Sequence, residues 1–174
     1  MKEISLNILD IANNSIRAKC TLLAIEIEES LENNRLSITI TDDGCGMDEE
    51  TLKKVTDPFF SSRTTRHIGL GVPFIKQHAE LAGGSFSIIS ELGKGTKVEA
   101  IFQLDHPDRQ PLGDMADIML MLIASNPEID FLYRHTLNGE ENICLDTREV
   151  KEVLEDIPIN NQEVLKMLRD MMID

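Results

Sequence analysis

Basic residues, cysteines and aromatic side chains are all scarce in this sequence of 174 residues. Its 17 Lys and Arg residues are outnumbered by 31 Asp and Glu residues, which gives a formal net charge of -14. A protein that follows the phosphate backbone of a nucleic acid needs a basic surface that displaces counterions. The composition therefore predicts that nucleic acid is not a partner, and it favours a well-solvated surface first and a basic protein partner second.

The cysteines and apolar runs exclude two further classes of protein. Cys20, Cys45 and Cys144 are odd in number and far apart, so they fit neither a disulfide framework nor a zinc site, and we expect a reducing, cytoplasmic location. The longest apolar run, residues 118–124, is much shorter than the roughly 20 residues that cross a bilayer. Asp10 interrupts any signal-peptide pattern, so we expect no direct membrane insertion.

The first hundred residues show both helical and strand periodicity. Apolar residues recur at helical spacing in the first segment, then at every second position in two segments joined by an Asn-Asn turn. The predicted elements are a helix at 3–19, strands at 23–28 and 36–41, a short helix at 48–55, a helix from 71 to 83 and a hairpin over 86–104. This order predicts an α+β fold for residues 1–104, a two-layer sandwich with helices on one face of a mixed sheet.

Residues 105–174 are predicted to form a small α/β region of their own. Helices are expected at 113–124, 147–156 and 161–172, and strands at 130–135 and 142–145 around the turn Asn138-Gly139. The region holds sixteen acidic and six basic residues, and so contributes -10 of the net charge. Its acidity favours solubility first, and contact with a basic partner is the second interpretation.

Two polar residues of the first helix form a candidate magnesium site. Asp10 and Asn14 are four residues apart, so the carboxylate and the amide project side by side from one face. Because Mg²⁺ keeps several waters and takes ligands from nucleotide phosphates, one amide oxygen and a nearby carboxylate are sufficient. The alternative interpretation is a solvated helix face.

Glycines lie where a nucleotide would approach the backbone. Asp42 ends a predicted strand and precedes Gly44 and Gly46, so its carboxylate is placed to accept a hydrogen bond from an exocyclic amine. Gly69-Leu70-Gly71 precedes a helix, whose free N–H groups and positive dipole end favour a phosphate. Ordinary turns are the alternative for both motifs.

The order of these motifs resembles the GHKL superfamily of ATP-binding domains, which is shared by bacterial histidine kinases, gyrase B, MutL and a heat-shock chaperone. The resemblance covers residues 1–104 and is closest to the ATP-binding domain of sensor histidine kinases. The matching boxes are residues 10–15, 42–47, 57–60, 69–71 and 93–96. The resemblance implies the Bergerat, or histidine-kinase-like ATPase, fold.

The resemblance also implies a role for individual residues. Asn14 would bind Mg²⁺, Arg17 would meet phosphate, Asp42 would bind the adenine amine, and Thr96 would support Asp42 through water. The remaining nucleotide-binding positions would be Gly44, Gly46, Gly69, Leu70 and Gly71. Arg63, in a lid segment with Arg66, is a candidate to offset charge on the terminal phosphates, although two solvated side chains are the alternative.

Asp10 is the candidate catalytic residue, as a general base. It is shorter than the Glu that ATP-hydrolysing members carry, which argues against hydrolysis. The resemblance to sensor histidine kinases therefore implies a protein that binds Mg-ATP and transfers the γ-phosphate to a protein partner in a signalling phosphorelay. The alternatives are a nucleotide switch without transfer and a slow ATPase of the same superfamily.

A second histidine-kinase feature follows the first region. The segment His106-x-x-Arg109-x-Pro111 resembles the phosphoacceptor box of sensor kinases. Pro107 stands where an acidic neighbour is usual, so an ordinary surface histidine in a linker is the alternative interpretation.

Overall fold

Helices and strands follow one another in the order expected from the periodicity. A computed structural model describes residues 3–57 and 71–173. The elements in that part of the chain are α1 (Ile4–Arg17), β1 (Leu22–Ser30), β2 (Arg35–Asp42), α2 (Glu49–Val55), α3 (Gly71–Leu81), β3 (Ser85–Glu91), β4 (Gly95–Gln103), α4 (Met115–Ser125), β5 (Asp130–Leu137), β6 (Glu140–Asp146), α5 (Thr147–Leu154) and α6 (Gln162–Met171). Their ends differ from the predicted ends by a few residues.

A six-stranded mixed sheet with the order β3-β4-β2-β1-β5-β6 organises the molecule. β1 and β5 are parallel, and the other neighbouring strands are antiparallel. The tight turns depend on residues that accept left-handed backbone: φ is 50° at Asn34, 51° at Asn138 and 83° at Gly139. Asn and Gly adopt this conformation with little strain, which explains the two turns that the sequence predicts.

One face of the sheet forms the core, as the alternating pattern predicts. The inward residues of β1, β2 and β4 are buried, and they are Leu23, Ile25, Ile27, Leu36, Ile38, Ile40, Val98, Ala100 and Phe102. The residues between them, such as Glu26, Thr39 and Glu99, are only half-buried. Burial of each large apolar side chain contributes about 1.5–3 kcal/mol. The α+β, two-layer architecture is therefore confirmed.

Both ends of α1 are fixed by backbone geometry outside the helix. The helix ends before the predicted position because Lys19 adopts φ of 61°, where the chain turns into β1. At the other end, the N–H groups of Ile4 and Ser5 donate to the carbonyls of Pro111 and Leu112 over 3.0 and 2.8 Å. Free N–H groups at a helix start need such acceptors, so the segment after β4 closes the start of α1.

The C-terminal strands extend the same sheet. β5 lies beside β1 with Leu23 opposite Phe131, and β6 pairs with β5 at the edge. The sequence predicts these strands but does not indicate where they lie. The boundary at residue 104 remains a prediction, although the sheet itself continues across it.

Asp43 joins the end of β2 to the start of β1. Its Oδ1 accepts from the backbone N–H groups of Thr21 and Leu22 over 2.7 and 3.0 Å, and its Oδ2 accepts from the Thr21 hydroxyl. Partial desolvation acts to raise the pKa of Asp43, but these hydrogen bonds outweigh it and hold the pKa below its ordinary value. The ionised carboxylate is the form that stabilises this junction.

We expect Asp43→Ala to lower the free energy of unfolding by about 1–2 kcal/mol at neutral pH, because hydrogen bonds to a charged group are lost. The folded-state pKa of Asp43 lies below the unfolded value of about 3.9. The contribution is therefore fully present above that value and is lost as the pH falls through the folded-state pKa. Denaturant unfolding of wild type and variant from pH 7 to pH 3 measures the difference.

The control for this experiment is Asp108→Ala, because Asp108 is exposed and its carboxylate forms none of the hydrogen bonds found among the described residues. The control should change stability by less than about 0.5 kcal/mol. A stability difference for Asp43→Ala that persists unchanged at low pH would contradict the assignment.

Candidate functional site

A cleft of about 220 Å³ opens between α1, the ends of β2 and β4, and the segment that leads into α2. Its apolar part includes Ile40, Ile88 and Val98 from three strands, together with Val72 of α3. Its polar part includes Asn14, Arg17, Asp42 and Thr96 among the predicted site residues. A mostly apolar cleft with a few convergent polar groups is typical of small-molecule sites.

Asp42 is held at the end of β2 by two donors. The buried Ser15 donates its hydroxyl proton to Asp42 Oδ2 over 2.6 Å, and the Gly44 N–H donates to Oδ1 over 2.8 Å. Thr96 is opposite Asp42 in the register of β2 and β4. The carboxylate therefore has a fixed orientation and retains lone pairs for a donor on a ligand.

Ser15 was not predicted as a site residue. It adjoins Asn14 on α1, and its partner Asp42 is 27 residues away. No spacing rule connects two residues that meet only through the packing of a helix on a strand. The nearest signal in the sequence is the matching box at residues 10–15, which ends with Ser15 beside the predicted ligand Asn14.

Packing explains why glycines occupy the segment after β2. A Cβ on Gly46, whose φ is 70°, would lie 2.0 Å from the Glu91 carbonyl oxygen, and a Cβ on Gly44 would lie 2.8 Å from the Ala18 Cβ. These contacts close the segment against α1 and the β3–β4 hairpin. Gly46 lines the cleft, and contact of both glycines with a nucleotide remains a prediction.

Gly71 brings the start of α3 against α1. A Cβ at this position would lie 2.7 Å from the Asp10 Cβ and 3.0 Å from the Asn7 carbonyl oxygen. The residue is buried, so its lack of a side chain permits the close approach of the two helices. The other predicted residues of this part of the site, Arg63, Gly69 and Leu70, lie outside the described residues.

Asp10, Asn14 and Arg17 follow one another along α1, as their spacing predicts. Burial raises the pKa of Asp10, and the charge of Arg17 offsets part of this effect. Arg17 Nη1 donates to Asn14 Oδ1 over 3.1 Å. Asn14 and Arg17 line the cleft, while the half-buried Asp10 lies one turn before Asn14, beside Gly71.

The residues present fit a magnesium ion that is carried by a nucleotide. No group of three or more His, Cys, Asp or Glu side chains suitable for a metal ion occurs within residues 3–57 and 71–173. Asn14 supplies one oxygen at the cleft, the kind of hard ligand that Mg²⁺ accepts. A single protein ligand suits Mg²⁺ only when phosphates and waters complete its octahedron.

His106 lies at the other end of β4 from the cleft. β4 starts at the cleft with Thr96 and runs to Gln103, which at about 3.4 Å per residue spans roughly 24 Å. The His106 Nδ1 accepts from the Asp108 N–H over 3.0 Å. A nucleotide in the cleft therefore does not reach His106 of the same chain.

The sequence is similar to a large family of ATP-binding proteins. Residues 2–106 match the family described as "Histidine kinase-, DNA gyrase B-, and HSP90-like ATPase". A protein of Shewanella frigidimarina with the provisional name of a sensor protein is 34% identical over 113 residues, which is 62% of this chain and 16% of that protein. The signal transduction histidine-protein kinase ArlS of Staphylococcus aureus is 34% identical over 95 residues, 52% of this chain and 21% of the kinase. The chain thus spans a small part of these relatives.

Solved structures have the same fold. The Aquifex aeolicus MutL ATPase domain complexed with ADP aligns with a TM-score of 0.52 and 16% identity, over 98% of this chain and 88% of that one. The N-terminal domain of a DNA repair protein aligns with a TM-score of 0.55 and 17% identity, over 83% of this chain and 53% of the other. At this identity the likeness concerns the fold, which includes the C-terminal strands.

The three thiols provide a test of the packing beside Asp42 and Asp43. Burial, followed by the charges of Asp42 and Asp43, raises the pKa of the Cys20 thiol to about 11, whereas Cys45 and Cys144 are exposed. Because the thiolate is the reactive form, we expect two thiols to react rapidly with an aromatic disulfide reagent at pH 8 and Cys20 to react only after unfolding. Mass spectrometry of the labelled peptides identifies them. Equal rates for all three in the native protein would contradict this geometry.

Proposed function

This chain belongs to the histidine kinase-, DNA gyrase B- and HSP90-like ATPase family, and we propose that it holds Mg-ATP in the cleft and transfers the γ-phosphate to a protein partner in signalling. Its first hundred residues are an ATP-binding domain of the histidine-kinase type. Our proposal adds to this domain a bound magnesium ion, the transfer of the γ-phosphate and a protein partner that receives it. The single observation that carries the proposal is the fixed Asp42 carboxylate at the end of an apolar cleft.

Adenine fits the end of the cleft that contains Asp42. The base is flat and largely apolar on its faces, which suits a wall of Ile40, Ile88 and Val98. Its amino group is a donor, and an ionised carboxylate is an acceptor only. Thr96, on the neighbouring strand, is placed to share a water with Asp42.

The phosphates fit the side of the cleft formed by α1. Arg17 supplies positive charge beside Asn14, and a cation at Asn14 Oδ1 would replace the hydrogen bond from Arg17. A phosphate oxygen beside Arg17 would accept from its guanidinium, since Arg forms strong, charge-assisted contacts with phosphate. Arg63, Gly69, Leu70 and Gly71 remain proposed phosphate ligands from the resemblance.

Asp10 is proposed to accept a proton during catalysis and to have no role in binding the adenine. Its raised pKa makes it a stronger proton acceptor once ionised, which is what general-base catalysis requires. The side chain is shorter than the Glu that ATP-hydrolysing members carry, and this supports transfer to a partner over hydrolysis. Because His106 lies at the opposite end of β4, the acceptor is proposed to be on another molecule.

The hydropathy and the net charge bear on where the protein acts and on what kind of partner it binds. No helix within the described ranges, 3–57 and 71–173, has the length and apolarity needed to cross a membrane. The net charge of -14 opposes binding to nucleic acid, whose phosphates carry the same sign. We propose a cytoplasmic protein whose partner is another protein, and the acidic residues 105–174 are proposed to contribute to that contact.

Asp42→Asn tests the base-binding carboxylate. We expect the affinity for Mg-ATP to fall about 10-fold to 100-fold, since a hydrogen bond to a charged group is worth about 1.5–3 kcal/mol, and the preference for ATP over GTP to disappear. Calorimetric titration of each nucleotide measures both quantities. Asp108→Asn is the matched control and should bind as wild type does. Retained affinity and preference in Asp42→Asn would refute the assignment.

Transfer is tested with ATP labelled in its γ-phosphate and Mg²⁺, with and without a lysate of the native host. We expect acid-labile label on a protein other than this chain. Asn14→Ala, which removes the proposed magnesium ligand, should abolish the label at equal protein concentration. If ATP binds but no label leaves it, the chain acts as a nucleotide switch; if free phosphate accumulates, it is a slow ATPase.

A further inference from the structure

Ser90 is a polar residue behind the cleft that none of the proposed roles explains. It lies on β3 and is not among the residues that line the cleft. Its hydroxyl nevertheless contacts three groups around the cleft: the Met47 N–H at 2.8 Å, the Gly95 carbonyl oxygen at 3.1 Å and the Thr96 hydroxyl at 2.8 Å. One serine therefore connects the segment after β2 with the side chain opposite Asp42.

The protons of these contacts can be assigned from their chemistry. A serine hydroxyl has one proton to donate and accepts through its lone pairs. The Met47 N–H can only donate to it, and the Gly95 carbonyl can only accept from it. When Ser90 donates to Gly95, the Thr96 hydroxyl must donate to Ser90. This assignment satisfies all three contacts at once, as partly buried polar groups generally require.

The assignment determines what Thr96 offers to the cleft. With this assignment the single proton of Thr96 points to Ser90, so only lone pairs of Thr96 face a ligand. Asp42 already accepts from Ser15 and Gly44, and it too presents only lone pairs. No hydrogen bond joins Asp42 directly to Thr96 in the part of the chain that the structure describes, so both acceptors are open to a ligand or a water.

We propose that Ser90 is a positioning residue that turns the Thr96 hydroxyl proton away from the cleft, so that Asp42 and Thr96 form an edge of hydrogen-bond acceptors selective for a base with an amino group. The inference rests on the proposed binding of ATP in this cleft. An amino group donates to such an edge. A carbonyl at the same position of the base leaves the acceptor opposite it unpaired, and an unpaired polar group of this kind disfavours the ligand.

The test compares ATP with inosine triphosphate, which has a carbonyl in place of the amino group and a proton on the neighbouring ring nitrogen, so that the comparison between protein variants, rather than the absolute ratio, reports the role of Thr96. Affinities of both Mg-nucleotides are measured by calorimetry for wild type and Ser90→Ala. Without Ser90, the Thr96 hydroxyl can rotate and donate into the cleft, so the ratio of ATP to inosine triphosphate affinity should fall about threefold to tenfold, the worth of one neutral hydrogen bond. A role limited to packing would weaken both nucleotides equally and leave the ratio unchanged.

Further variants isolate the effect. Ser90→Thr keeps the hydroxyl and should restore the wild-type ratio. In a Thr96→Val background, Ser90→Ala should not change the ratio, because no hydroxyl remains to be turned. Ser87→Ala is the matched control, since Ser87 lies on the same strand, is exposed and takes no part in these contacts. If Ser90→Ala does not fold, Ser90→Cys is measured instead, because sulfur is a weak acceptor in a similar volume.

The outcomes separate this inference from the proposed function. A wild-type protein that does not bind ATP would overturn both. A wild-type protein that binds ATP, with the same ratio in Ser90→Ala, would overturn the role of Ser90 alone. A lowered ratio that Ser90→Thr restores and that disappears in the Thr96→Val background supports the proposal.

Discussion

The hydrogen bond between Ser15 and Asp42 sets the geometry on which the rest of the cleft depends. It joins α1 to the end of β2 over 2.6 Å, and a hydrogen bond to a carboxylate of this length is worth about 1.5–3 kcal/mol. Asn14 and Arg17 are on α1, whereas Asp42 is on the sheet. The bond therefore fixes the separation between the residues proposed for phosphate and the residue proposed for the base.

Patterns with a fixed period could be predicted from the sequence, and contacts between distant residues could not. The alternation of apolar residues in β1 and β2 predicts one buried face, and the structure has it. Asn14 and Arg17 lie at the cleft because their spacing on α1 fixes their common face. Ser15 and Ser90 were missed because a hydroxyl has no periodic signal and its partner is chosen by packing. The parallel pairing of β1 and β5 was missed for a similar reason, because α4 and the chain around it decide where β5 returns.

The glycines illustrate a different limit of prediction. A glycine pattern indicates close approach to something, but it does not say to what. At Gly46 and Gly71 the structure shows that the neighbour is the chain itself, namely the Glu91 carbonyl and α1. These contacts still position the cleft, because they determine how near the segment after β2 and the start of α3 come to α1. The absence of a side chain at these glycines thus allows the close packing of the chain and, through it, sets the shape of the cleft.

The parallel pairing of β1 with β5 also has a consequence for the order of folding. Glu26 and Arg134 form an ion pair of 3.1 Å across these strands although they are 108 residues apart in sequence. As the chain leaves the ribosome, the backbone N–H and C=O groups on one side of β1 have no partner strand until β5 has been synthesised. Exposed edges of this kind promote association between chains. The nascent protein thus carries an edge that is open to association between chains after residues 1–104 are made, and that edge is occupied once β5 pairs with β1.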